Sequence, residues 1–132
     1  MDLIPGNRMT LLQNGAEYFP ALEAAIDLAR REIFFESYIY KYDATGRQIS
    51  AALERAVRRG VTVHLLLDGF GSKTLSRAVV EELRGAGVQL LFYRPKVSPW
   101  SLKRGRLRRM HRKIVVIDTR IAFVGGINII DD

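Results

Sequence analysis

The chain has 132 residues, 48% of them apolar, with 21 basic against 14 acidic side chains for a net charge of +7. Such a length and apolar share suit one domain with a buried core, residues 1–132, and argue against a disordered chain. There is no cysteine for a disulfide framework or thiolate metal site and no apolar run near the roughly 20 residues that cross a bilayer, and Met1-Asp-Leu-Ile-Pro-Gly-Asn-Arg8 lacks a signal peptide's pattern, so a cytoplasmic address is expected.

Asn14 followed by Glu17 has the spacing of a capping box, and Leu22, Ala25, Ile26 and Ala29 recur at helical intervals to about Arg31. Ile33 to Tyr40 reads as a strand. Ala44 to Arg59 is a second amphipathic helix, with Ile49, Ala52, Leu53, Ala56 and Val57 as its apolar stripe and Gly60 as its stop. Val61 to Leu67 reads as a buried strand in which His64 is expected to be a core or sheet-face histidine rather than a catalytic one. Gly69-Phe-Gly71-Ser72 lacks the Lys-Ser/Thr ending of a phosphate loop and is expected to be a turn from strand to helix. A third helix covers about Leu75 to Arg84, closed by Gly85 and Gly87, and Val88 to Tyr93 reads as a strand. Strands alternating with helices imply an α/β class with a mainly parallel or mixed sheet flanked by helices.

The last segment carries the chemistry. Ile114 to Ile117 and Ile121 to Val124 are apolar runs on either side of a turn, the pattern of a β-hairpin. A two-residue Thr119-Arg120 turn would set Lys113 opposite Gly126 and His111 opposite Asn128, with all four on one face. An imidazole, an ammonium and a carboxamide would then surround a position with no side chain, a hollow for a tetrahedral phosphate. In that arrangement His111 is the nucleophile, and Lys113 with Asn128 holds the non-bridging oxygens.

The pattern His111-x-Lys113-x4-Asp118-x6-Gly125-Gly126-x-Asn128 resembles the HKD signature of the phospholipase D superfamily with every spacing intact. Within that catalytic signature, Asp118 is expected to bond nearby backbone N–H groups and fix the loop that aligns the two strands. Leu11-Leu-Gln-Asn-Gly15, Tyr18-Phe-Pro20, Ile33-Phe-Phe-Glu-Ser-Tyr-Ile-Tyr40 and Leu66-Leu-Asp-Gly-Phe-Gly-Ser72 extend the likeness, over essentially the whole chain, to the N-terminal half of bacterial cardiolipin synthases. The resemblance implies a phospholipase D-like half-domain, cofactor-free and metal-free chemistry, and phosphatidyl transfer through a phosphohistidine. Members of that family carry two such motifs, the second histidine serving as general acid and later as base. Only one motif is present here, so a truncated product, an excised half or one member of a pair is expected, completed by a second HKD half or a homodimer partner. With no cover from another half, the apolar Ile127, Ile129 and Ile130 are expected to favour self-association.

Residues 94 to 113 hold nine of the 21 basic residues and no acid, so the other twelve are outnumbered by the 14 acids. The whole positive excess lies beside the motif and should attract an anionic substrate. Trp100 with Lys103, Arg104 and Arg106 has the composition of a contact with an anionic lipid surface, although a basic loop with a locally packed Trp100 is the plainer reading. Glu36 interrupts an apolar strand and is expected either to pair with Lys113 or to face solvent. The functional expectation is a phosphatidyltransferase or phosphodiesterase acting on an anionic phospholipid and an alcohol acceptor, peripheral on the inner face of a bacterial cell membrane. A homodimeric nuclease, with the basic stretch tracking nucleic acid, and a non-catalytic membrane-binding half-domain are the alternatives.

Overall fold

A computed structural model describes residues 5–93 and 110–131. The element order is α1 (Asn14–Asp27), β1 (Glu32–Ser37), α2 (Ala44–Arg58), β2 (Thr62–Asp68), α3 (Arg77–Ala86), β3 (Gln89–Tyr93), β4 (Ile114–Ile117) and β5 (Ile121–Val124). The five strands form one mixed sheet in the order β3-β2-β1-β4-β5. The first three are parallel, and β4 and β5 run antiparallel to their neighbours.

The crossovers β1-α2-β2 and β2-α3-β3 step the same way across the sheet, so right-handed connections put both helices on one face. There α1 packs on α2 and α2 on α3, over Ile33, Phe35, Val63, Leu65 and Leu67 of the central strands. The alternation of the strands then turns Phe34, His64, Leu66, Leu91, Val116 and Val124 to the other face. Phe34, Leu91 and Val124 are exposed, and Phe34 stacks on His64 with ring centroids 4.6 Å apart, so His64 is a sheet-face histidine.

The helix ends follow the sequence in part. Asp43 caps α2 by accepting the Gly46 N–H, and Ser76 caps α3 by accepting that of Val79. Gly87, at φ 107°, ends α3, leaving Gly85 inside the helix instead of closing it. At α1 the Asn14 side chain takes the Ala16 N–H, while Glu17 reaches back to the N–H of Gln13, one residue earlier than a strict capping box requires.

Two strand expectations are corrected. β1 stops at Ser37 instead of running to Tyr40, because the Ser37 hydroxyl donates to the Ile39 carbonyl and the chain turns to make an isolated bridge from Tyr40 to Ile129. The hairpin turn has three residues, Asp118, Thr119 and Arg120, with left-handed φ of 52° at Asp118 and 56° at Thr119. Ile117 therefore pairs with Ile121 and Ile114 with Val124, a register one residue away from the expected one.

The end of the described chain is not loose. Ile129 is buried, its N–H donates to Ile39 and its carbonyl accepts from Lys41, while Ile127 and Ile130 are half-buried. Asp131 accepts the N–H groups of Ala44 and Thr45 at the start of α2. The expectation that these three isoleucines lie uncovered is corrected: the loop after β1 covers the middle one.

Candidate active site

The carboxyl ends of β1, β2 and β3 share one edge of the sheet, and β4, being antiparallel to β1, begins at that edge with Ile114 beside Glu36. The residues just before β4 therefore lie where open α/β sheets commonly bind ligands. Lys113 is buried, only 8% exposed, whereas His111 is exposed. The Lys113 Nζ lies 3.0 Å from His111 Nε2 and 3.3 Å from Nδ1. An ammonium has only donors, so the contact is made by Lys113 toward the imidazole. A buried ammonium on which an exposed imidazole rests can both present a nucleophile and neutralise charge on a tetrahedral anion.

The new register changes how the other expected ligands arrive. Gly125, not Gly126, approaches Lys113, with its N–H 3.4 Å from the Lys113 carbonyl, and Gly126 is exposed on the bend that follows β5. Asn128 is not a cross-strand partner of His111, since β4 begins three residues after His111 and β5 ends at Val124. Its Oδ1 accepts the Ile39 N–H at 3.0 Å, which fixes the amide's orientation and leaves Nδ2 as its donor end. Asn128 thus fastens the segment after β5 to the loop after β1.

Glu36 is placed away from Lys113. It shares its sheet face with its register partner Ile114, so the residue before Ile114 belongs to the opposite face. Its observed partner is Arg112, at 3.8 Å between a half-buried carboxylate and a largely exposed guanidinium, a contact of small energetic weight.

Asp118 lies at the opposite end of β4. Its Oδ1 accepts the N–H groups of Arg31 at 2.7 Å and Glu32 at 3.0 Å, and its Oδ2 that of Arg30 at 2.9 Å. The Glu32 N–H, with those of Arg30 and Arg31, holds the carboxyl below the ordinary aspartate value. These partners are remote in sequence, so Asp118 ties the hairpin to the turn between α1 and β1 instead of bracing the hairpin loop itself. The four strand residues Ile114–Ile117 separate it from Lys113, a distance of roughly 17 Å over five residue steps, so among the members of the signature it stands apart from the His111–Lys113 pair.

Trp100, Lys103, Arg104 and Arg106 lie outside the described residues. Among the described residues, no group of three or more His, Asp or Glu is arranged to hold a metal.

Three residues that sequence reasoning missed support the site. Asp68 is fully buried at the end of β2, where its Oδ2 accepts the N–H groups of Phe70 and Gly71 and its Oδ1 that of Met110, next to His111. Tyr38 sets its ring against the His111 imidazole, with centroids 4.9 Å apart. Ser72 donates its hydroxyl to the Tyr38 carbonyl and accepts the Tyr40 N–H. An acid closing an apolar strand just before Gly-Phe-Gly was the one available signal.

The family described as "Cardiolipin synthase, PLD-like domain" matches residues 22–132, a span that contains every member of the His111 to Asn128 pattern. The chain belongs to that family. Cardiolipin synthase B of Escherichia coli K12 is 48% identical over 123 residues, which cover 93% of this chain and 30% of that protein. Cardiolipin synthase of Geobacillus kaustophilus is 40% identical over 126 residues, covering 96% of this chain and 25% of that protein. The chain thus spans only about a quarter to a third of the length of these cardiolipin synthases. Among solved structures, Nuc from Salmonella typhimurium, a phospholipase D family member, superimposes with a TM-score of 0.62 at 23% identity over 84% of this chain and 64% of that one. NucT from Helicobacter pylori gives a TM-score of 0.58 at 19% identity over 83% of this chain and 65% of that one. These two share the fold, a mixed sheet flanked by helices, with this member of the cardiolipin synthase family.

Proposed function

We propose that this chain forms one half of a phosphatidyl-transfer site acting on an anionic phospholipid at a membrane surface. The observation that carries the reading is the pairing of His111 with a buried Lys113 across 3.0 Å, within a chain of the cardiolipin synthase family. A ring nitrogen of His111, turned from Lys113 toward the substrate, attacks phosphorus and forms a P–N bond as the P–O bond to the departing alcohol breaks. Lys113 and the Nδ2 of Asn128 stabilise the negative oxygens as charge builds on them. The departing alkoxide takes its proton from an acid on a second half-site, supplied by further chain or by a second copy. An acceptor alcohol then attacks the phosphatidyl-histidine, surrendering its proton to that same group, and His111 is released. Losing the acid would cost about 10²- to 10⁴-fold, so this half acting alone turns over slowly.

The test is product formation on phosphatidylglycerol vesicles, with and without added glycerol, beside a His111→Ala control and a parallel assay on DNA. Lipid product that depends on His111 supports the reading, and the product formed identifies the acceptor. Hydrolysis of DNA with no lipid product, or lipid product undiminished in the control, overturns it.

A further inference from the structure

His111 precedes β4 by three residues, so no strand hydrogen bond fixes its ring. Lys113 touches both ring nitrogens from one side and leaves the tilt of the imidazole free. The ring of Tyr38 supplies what is missing: it lies 4.9 Å from the imidazole at 56°, and the Lys113 Nζ lies 5.6 Å from its centroid, within the range of a cation–π contact.

Tyr38 is itself wedged. A Cβ on Gly71 would fall 2.4 Å from the Tyr38 carbonyl oxygen and 2.9 Å from its Cε2, so only glycine lets that loop close on both backbone and ring. Ser72, 1% exposed, donates its hydroxyl to the same Tyr38 carbonyl at 3.0 Å and accepts the Tyr40 N–H at 3.0 Å, gripping the chain on either side of Ile39. The Gly71 N–H is held in turn by Asp68, whose other oxygen holds Met110 beside His111. Gly69-Phe-Gly71-Ser72 is in this light the backing of an aromatic wall.

We propose that Tyr38, clamped by Gly71 and Ser72, is a positioning residue that holds the His111 imidazole and the Lys113 ammonium in the geometry of attack. This rests on the phosphatidyl-transfer reading for its catalytic consequence and on geometry alone for the contact. The ring acts, not the hydroxyl. Misplacing a nucleophile by about 1 Å costs on the order of 10²-fold in rate. Tyr38→Leu should therefore lower kcat on phosphatidylglycerol vesicles about 10- to 100-fold with KM changed less than about threefold, while Tyr38→Phe stays within about threefold of wild type.

The contact has its own readout, because the chain has only two histidines and His64 stacks on Phe34 instead. In NMR spectra of the 132-residue chain, loss of the Tyr38 ring current should move the His111 ring protons of Tyr38→Leu while those of His64 stay in place. Thermal melts check that each variant folds, and Tyr38→Met replaces the leucine variant if that one does not. A leucine variant with wild-type kcat, a phenylalanine variant as slow as the leucine one, or unmoved His111 signals would each overturn the proposal. If wild type hydrolyses DNA and forms no lipid product, the phosphatidyl-transfer reading falls instead; in that case, or if the half-site alone gives no measurable rate, the His111 signals decide for or against the clamp.

Discussion

Replacing Asp118 tests whether this member of the motif builds the fold. Its carboxylate takes three backbone N–H groups at 2.7 to 3.0 Å from a partly solvated position, and its backbone sits at φ 52°. Partly exposed hydrogen bonds contribute about 0.5–1 kcal/mol each, near 2 kcal/mol for the set. Alanine would also meet the left-handed conformation at a cost of about 1 kcal/mol, so Asp118→Ala should lose about 3 kcal/mol in all. Asparagine tolerates that conformation and keeps an acceptor for Arg31 and Glu32, but it presents N–H donors to the Arg30 N–H, so Asp118→Asn should lose about 1 kcal/mol. Urea unfolding at neutral pH measures both. The carboxyl's native pKa is depressed, so its stabilisation is complete above the unfolded value of about 3.9 and disappears as pH falls through the lower native one. The gap between wild type and Asp118→Asn should accordingly narrow only below about pH 4. An asparagine variant as stable as wild type at pH 7, or more damaged than the alanine one, would refute the reasoning.

Two glycines of helical segments should respond in opposite directions. A Cβ at Gly46 would fall 1.7 Å from the Lys41 carbonyl oxygen, so Gly46→Ala should lose more than about 2 kcal/mol by chemical denaturation, whereas Gly85, with open space around it inside α3, should gain about 0.5–1 kcal/mol as alanine. The fully buried Tyr40 hydroxyl bonds Ser50 at 2.7 Å, and Tyr40→Phe should cost about 1–2 kcal/mol by leaving Ser50 without that partner. Burial raises the pKa of Tyr40 and pushes that of Tyr18 up to about 12, so stability is complete below the unfolded tyrosine value of about 10 and falls as pH rises beyond it. Thermal melts across that alkaline range should show a shallower decline in Tyr40→Phe than in wild type.

Apolar periodicity carried the alternation of strands and helices, and the unbroken spacing from His111 to Asn128 carried the family and singled out the adjacent His111 and Lys113. What it missed depends on distance in sequence. Asp118 and Thr119 adopt left-handed backbone without being glycine, the choice a turn rule disfavours, and that one extra turn residue moved the hairpin register. The apolar run through Ile39 and Tyr40 concealed the end of β1, which is set by Ser37, Ser72 and Ile129 from three separate segments. Tyr38 could not be seen as a neighbour of His111, because their meeting requires β4 to lie against β1, an order that local patterning does not encode. The choice left open at Glu36, between Lys113 and solvent, could not be settled for the same reason: only the β1 to β4 register decides whether Lys113 or Arg112 shares its face.

The fastening of the chain after β5 onto the loop after β1 couples parts of the site that are some ninety positions apart in sequence. Asn128 to Ile39, Ile129 to both Ile39 and Lys41, and Asp131 to Ala44 and Thr45 form a seam of five contacts over a few residues. Amides along such a seam exchange with solvent only when it opens, and one opening frees the carboxamide, the tyrosine wall and the start of α2 together. The loop after β1, the start of α2 and the segment after β5 are therefore expected to be protected against exchange to a similar degree, as parts of one fastening.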